Sequence, residues 1–321
     1  MTSVYPLLFT PIFKERIWGG TKLADSLHKE IPFTHTGESW ELSTVPGDVS
    51  VVANGPLSGT SLQALLDQFP AELLGSKVHA QFGNQFPLLF KFLDAREDLS
   101  IQVHPNDQLA ASRHNSFGKT EMWYVMQADP GARLLVGFKE NSSAEEYVQA
   151  LAEKNILSLL DAFPVQKGEV FFLETGTVHA IGAGCLIAEI QQTSDITYRL
   201  YDFDRVDAQG NTRELHIDLA LDAINYQQVD AKKIYQPQTN SFTQVVDCPY
   251  FTTQLLQLQG EISLSKSGES FTVYICTEGA FAIEYQGEKF AFELGSTVLV
   301  PAAMQNFSLH GSATLLEIQV K

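Results

Sequence analysis

The chain has 321 residues, enough for about two domains of ordinary size, and its 44% apolar content argues against disorder. It carries 38 acidic against 21 basic residues, a formal net charge of -17, which argues against binding nucleic acid and against charge-driven docking on an anionic membrane. A single anionic ligand remains open, provided that a few basic residues gather in one pocket.

The N-terminus, MTSVYPLLFTPIFKERIW, lacks a basic start, and Pro6 and Pro11 interrupt its apolar stretch, so no signal peptide is expected. Residues 48–53 (DVSVVA) read as a strand. Thr60 can cap a helical segment, SLQALLDQF, which stops at Pro70. Strand signals follow at 121–126 (EMWYVM) and 133–138 (RLLVGF), rich in β-branched and aromatic residues. Ser142 and Ser143 precede Glu145 and Glu146 by three positions each, two overlapping capping boxes that open a helix through Ala152. A second helical piece, ILSLLDAF, ends before Pro164. Residues 169–173 (EVFFL) read as a strand, and 214–226 (ELHIDLALDAINY) place Leu215, Leu219 and Ile224 on one helical face. The chain turns polar from Gln227 to about Phe242, and a domain boundary is expected there. Only strands follow, including a hairpin about Gln286–Gly287. GEVFFLETGT (168–177) and GSTVLVPAA (295–303) form a weak internal repeat of one strand-and-turn design. No apolar run reaches 18 residues, so no membrane span is expected. Cys185, Cys248 and Cys276 are far apart and odd in number, as free thiols in a reducing cytoplasm would be.

The most informative segment is LSIQVHPND (99–107). On a strand, Gln102 and His104 point to one side and Ile101 and Val103 to the other. Glu121 opens the strand in GKTEMWYV, and His179 follows a strand and a turn in GEVFFLETGTVHAIGAG. The spacing resembles the two cupin metal motifs. Gly168, Glu174, Gly176 and His179 match the second, with Glu174 where proline is usual. Gln102, His104 and Glu121 match the first across a longer, helical-looking gap. Two histidines and a glutamate are a catalytic-zinc ligand set to which Gln102 can add an oxygen. One Zn2+ per chain is the first expectation, with manganese, iron or cobalt open.

FKERIWGG (13–20), GESWELS (37–43), FPLLFKFLDA (86–95), the metal segments and QQTSDITYRLYDFDR (191–205), in this order, resemble the type I mannose-6-phosphate isomerase family in its short bacterial form. The resemblance implies a metal-dependent interconversion of mannose 6-phosphate and fructose 6-phosphate, with Gln102, His104, Glu121 and His179 as ligands. It implies Arg199 as a catalytic or substrate-binding arginine, and Lys91, Ser100 and Lys119 near the phosphate. The fold expected is mostly β: two cupin-type jelly-roll β-barrels with a small helical insertion in the N-terminal part. Residues 1–230 would form the catalytic cupin domain, with helical segments at about 60–80, 106–117 and 142–163. Residues 231–321 would form a cupin-like domain without metal, since His310 is the only histidine there. A cytoplasmic monomer or weak homo-oligomer is expected.

Read one by one, these residues admit plainer roles. Lys91 in an apolar strand either snorkels or faces a cavity, and the cavity is the preferred reading. Lys119 lies two before Glu121 and Ser100 two before Gln102, so each shares its neighbour's face. Arg199 by itself could pair with Asp195, Asp202 or Asp204. Glu189, in CLIAEIQQ, could act as general base or as a structural ion-pair partner. Trp18 and Trp40, with Gly19 and Gly20, could wall the pocket or pack the core, and core packing is the preferred reading. The catalytic set expected is Arg199, Lys119 and Glu189, with Lys91 and Ser100 on the phosphate. The competing readings are an iron-dependent cupin oxygenase and a non-catalytic sugar-phosphate-binding cupin.

Overall fold

The computed structural model describes residues 4–206 and 209–321. Its middle layer is a seven-stranded sheet in the order Lys232–Lys233, Val170–Leu173, Glu121–Ala128, Cys185–Gln192, Leu88–Ala95, Ile12–Gly20, Thr36–Leu42. A five-stranded sheet lies against it, in the order Leu160–Pro164, Arg133–Phe138, His179–Ile181, Ile101–Val103, Tyr198–Tyr201. The two share a core of Trp123, Val125, Phe171 and Ile187 from the first and Leu134, Val136 and Ile181 from the second. They pack as facing sheets rather than as one closed barrel.

The middle sheet is covered on both sides. Leu88–Ala95 and Cys185–Gln192 are therefore buried at every position instead of alternating with solvent. Leu88, Phe90, Phe92, Met122, Tyr124, Ala188 and Ile190 point away from the five-stranded sheet. They meet the helices Leu62–Gln68, Pro70–Leu74 and Ser76–Phe82 and the apolar side of the C-terminal sheet. Strand parity sends the odd-numbered Lys91, Glu121, Trp123 and Glu189 the other way, into the space between the two sheets.

The C-terminal layer has eight strands, built on the long strands Phe251–Ser265, Thr272–Tyr285 and Asn306–Val320. Two pairings cross the sequence division near 230. Leu7–Thr10 joins the C-terminal sheet beside Thr297–Val300, and Lys232–Lys233 joins the middle sheet beside Val170–Leu173. The hairpin falls where expected: Gln286 and Gly287 have φ of 51° and 82°, both in the left-handed region that a type I′ turn requires. The Trp-Gly-Gly segment is explained by close approach, because a Cβ at Gly19 would lie 2.4 Å from the Gly37 nitrogen.

Local expectations hold in part. Ser143 caps the helix Ala144–Ala152 by accepting from the Glu146 N–H, and Asn106 caps Asp107–His114. Ser61, not Thr60, caps Leu62–Gln68. The 48–53 segment forms two short strands, Asp48–Val49 and Val51–Val52, with different partners. ILSLLDAF is not a helix: a 3-10 turn, Ile156–Ser158, leads into the edge strand Leu160–Pro164. Pairing with Arg133–Phe138 buries Leu160, and Pro164 is tolerated at a sheet edge. The helix expected over 214–226 shrinks to Ile217–Leu221. Leu215 and Leu219 are 42% and 37% exposed, because Ala220 and Ile224 make the buried contact instead.

One buried acid in this frame makes stability depend on pH. The Asp94 Oδ2 accepts the Lys22 N–H at 2.6 Å, its Oδ1 has no partner, and burial pushes the carboxyl up to about 6. Its folded pKa lies above the unfolded value, so its contribution is fully present at low pH and is lost as pH rises through about 6. Urea unfolding of wild type and Asp94→Asn at pH 4.5 and pH 8 should show the variant gaining on wild type by on the order of 2 kcal/mol at the higher pH. An unchanged difference would show that folding leaves the Asp94 pKa unshifted and would overturn this reading.

Candidate metal centre

Strand register assembles the site. Within the five-stranded sheet, Gln102 stands opposite His179 on one side and opposite Arg199 on the other. Ile101, Val103, Ala180, Tyr198 and Leu200 turn to the apolar layer behind, so Gln102, His179 and Arg199 face inward. Across the gap, Glu121 begins its strand opposite Leu173 and Gln191.

The ligand atoms of His104, Glu121 and His179 lie within 4.8 Å of one another, and all three residues are buried. The Nε2 of His104 is 3.6 Å from one Glu121 oxygen, and that of His179 is 3.4 Å from the other. The Gln102 amide is 3.2 Å from the His179 Nε2. Each imidazole donates from Nδ1 to a backbone carbonyl, His104 to Ile196 at 2.9 Å and His179 to Thr177 at 2.8 Å. Those acceptors fix the tautomer and leave both Nε2 lone pairs aimed at the centre. Burial, with the Lys119 charge beside it, holds His104 well below its ordinary pKa, and burial holds His179 down to about 4. Both rings are therefore neutral near pH 7. Burial pushes the Glu121 carboxyl up to about 7 despite Lys119, and neither of its oxygens receives a well-formed hydrogen bond. Two neutral imidazoles and an unsatisfied carboxylate fit a divalent cation of zinc type, to which Gln102 can add its oxygen by turning its amide over.

A cavity of about 590 Å³ adjoins this cluster, and Gln102 and Lys119 line it. Lys91, Ser100, Glu189 and Arg199 line it as well, so all the residues singled out in the sequence stand in the cluster or on the cavity wall. Lys91 does not snorkel. Its Nζ lies 3.2 Å from Glu189 and 4.9 Å from the centroid of the Trp40 ring. Glu189 also accepts from the Trp123 indole at 2.9 Å. Burial opposes its charge, but Lys91 and Lys119 outweigh burial and hold its pKa low. The Lys119 Nζ is 3.1 Å from both Glu121 and the His104 Nε2. Burial opposes this charge too, and Glu121 with Glu189 outweighs it and raises the pKa. Arg199 has none of the three carboxylate partners open to it in the sequence. It donates to the Glu214 carbonyl at 2.9 Å, and its Nε has no partner.

Trp18 and Trp40 are buried, yet they line the cavity rather than only pack the core. Lys14, Arg16, Glu38 and Arg213 also line it and were missed. Glu38 accepts from Arg16 at 2.7 Å and from the Trp40 indole at 2.6 Å. Burial opposes its charge, but Lys91 and Arg16 hold it down to about 2. A signal was available: Lys14, Arg16 and Trp18 are spaced by two on one strand, as are Glu38 and Trp40 on the next.

The family described as phosphomannose isomerase type I, catalytic domain, matches residues 7–129, and the mannose-6-phosphate isomerase cupin domain matches residues 241–320. The mannose-6-phosphate isomerase ManA of Bacillus subtilis is 38% identical over 313 residues, covering 96% of both chains. The mannose-6-phosphate isomerase of Streptococcus mutans is 36% identical, covering 97% of both. The crystal structure of the mannose 6-phosphate isomerase from Bacillus subtilis superposes with a TM-score of 0.89 at 34% identity, over 98% of this chain and 99% of that one.

The cluster makes a direct test possible. Chelator-stripped protein dialysed against Zn2+ should take up about one ion per chain, and His104→Ala or His179→Ala should weaken uptake at least about a hundredfold. Stoichiometric, tight Zn2+ in either variant would remove that histidine from the centre.

Proposed function

The chain belongs to the type I mannose-6-phosphate isomerase family, and we propose that it interconverts D-mannose 6-phosphate and D-fructose 6-phosphate in the cavity beside His104, Glu121 and His179. The observation that carries this reading is the junction of a buried cation-binding cluster with a cavity whose wall holds Lys91, Lys119 and Arg199. Interconversion moves a proton between C1 and C2 through an enediol(ate). The chain must therefore supply a base that takes the proton from one carbon and returns it to the other, hold the sugar, offset the charge that develops on oxygen and grip the phosphate.

Gln102, His104, Glu121 and His179 would hold the ion, with Zn2+ the metal their chemistry favours. When bound, it supplies a Lewis acid for the sugar oxygens. Arg199 stands next to Gln102 in the sheet with no carboxylate at contact distance among the described residues, so it orients the sugar and faces the developing oxyanion. Lys119 keeps a proton on Nζ beside Glu121 and donates it as a hydrogen bond to the same oxygen. Lys91 and Ser100 contact the phosphate. Of the two roles open to Glu189, its contacts with Lys91 and Trp123 favour holding Lys91 in place over acting as the base. The family membership favours this isomerase over the oxygenase and the non-catalytic binder. Among the described residues no helix is long and apolar enough to cross a membrane. We place the protein in the cytoplasm, where its three buried free cysteines stay reduced.

A coupled assay of fructose 6-phosphate formed from mannose 6-phosphate, before and after chelation, tests the reading. Activity should fall on chelation and return with Zn2+. Arg199→Ala should keep its metal and lose about 10²–10⁴ in kcat. No turnover, or turnover indifferent to chelator, would overturn the proposal, and loss of metal in Arg199→Ala would overturn the role given to that arginine.

A further inference from the structure

The cations around the cavity are not equally free. Lys14 pairs with Asp48, Arg16 with Glu38, Lys91 with Glu189 and Lys119 with Glu121, one carboxylate to each. The arginines on the opposite wall are arranged differently. Asp202, 5% exposed, accepts from Arg205 at 2.6 Å and from the Arg213 Nε at 2.7 Å, and the Arg213 Nη2 makes a second bond to it. Arg199 has no carboxylate partner among the described residues, and burial together with the Arg213 charge lowers its pKa. Two guanidinium groups thus share one buried carboxylate, and Arg199 beside them has none at contact distance among the described residues. Glu214, next to Arg213 in sequence, turns away with its side chain 84% exposed. Even counting Asp195, which also lines the cavity, positive charge exceeds negative among the described residues of this wall.

Register brings a predicted phosphate contact to the same place. Ile101 stands opposite Tyr201, so Ser100 and Asp202 are the next residues on adjacent antiparallel strands. Ser100, Arg199 and Arg213 all line the cavity, whereas Arg205 is turned to Asp202 and to the Asp98 carbonyl. The Arg213 bond to Asp202 uses Nε and Nη2, which leaves the two N–H donors of Nη1 on the side away from that carboxylate.

We propose that Arg213, fixed in place by Asp202, is a phosphate-binding residue of this site, taking the dianion together with the Ser100 hydroxyl while Arg199 serves the sugar. Asp202 is then a positioning residue: it orients Arg213 without cancelling the charge of the wall. A dianion is the ligand class that a wall with more guanidinium groups than carboxylates recognises, with planar N–H donors matched to phosphate oxygens. The proposal rests on the sugar-phosphate reading above and sharpens it into a preference for phosphorylated over neutral sugars.

The test compares wild type, Arg213→Ala, Arg213→Lys and Asp202→Asn, each loaded with Zn2+ and checked for metal content. Arg213→Ala should raise KM for mannose 6-phosphate, and the inhibition constant for inorganic phosphate, by roughly 10- to 100-fold, with kcat held within about threefold. Arg213→Lys should recover part of both losses, and Asp202→Asn should raise KM with its metal intact. An unchanged KM and phosphate inhibition in Arg213→Ala would overturn the proposal. So would a fall in kcat at constant KM, which would put Arg213 at the reacting carbons. If Arg213→Ala fails to fold, Arg213→Lys carries the same comparison. If wild type does not turn over mannose 6-phosphate, the isomerase reading fails on its own, and calorimetric titration of inorganic phosphate into wild type and Arg213→Lys still decides whether Arg213 binds the anion.

Discussion

A carboxylate shut away from water needs hydrogen bonds or positive charge, because the protein interior offers neither by default. Glu121 has no exposed surface and no well-formed hydrogen bond to either oxygen. Among the described residues its only charged neighbour at contact distance is Lys119, on one side. The other approaches are filled by the Nε2 atoms of His104 and His179, whose lone pairs face the carboxylate because their Nδ1 protons are already given to backbone carbonyls. Lone pairs set against a carboxylate repel it. A divalent cation converts that repulsion into coordination, so the arrangement is costly without an ion and favourable with one.

Holding such a centre requires rigid surroundings, and the layering supplies them. The strand that carries Lys91 is buried throughout, and so is the one that carries Glu189. Their other faces pack against helices and the C-terminal sheet, where Phe86 and Phe271 meet with ring centroids 4.8 Å apart. The C-terminal sheet lines no part of the cavity. It covers the back of the sheet that does, and Leu7–Thr10 stitches the start of the chain into it. In physical terms its contribution is burial: a middle sheet with one apolar face in water would present those strands to aggregation and let the inner row shift.

How far the sequence could be read follows the same physics. Gln102 and His104 are legible because they interrupt an apolar strand at a spacing of two, where no packing reason calls for polar side chains. The Ser143 cap and the Gln286–Gly287 turn are legible because their chemistry is local. ILSLLDAF is not, because a short apolar run obeys helix and strand periodicity equally and only the partner strand decides. Leu219 looks like a helix face but stays exposed, since the helix there is five residues long. The cavity wall formed by Lys14, Arg16 and Glu38 was missed for a different reason. Alternating charges on a strand at the edge of the chain's first motif read as a solvated face, and only the pairing of Thr36–Leu42 with Leu88–Ala95 turns that face toward a cavity.

The net charge of -17 bears on the site in the same way. Averaged over the surface it repels a dianion, but that field decays over roughly 8 Å at physiological salt. Inside the cavity the governing quantity is the local excess of positive over negative groups, in surroundings where water screens poorly. Most cations there are neutralised by a dedicated carboxylate, which fixes their geometry and removes them as long-range attractors. The wall built on Asp202 is the exception: one carboxylate orders two arginines beside a third that has none among the described residues. Positive charge is thereby concentrated on the wall that adjoins Gln102, where it offsets the acidic surface locally.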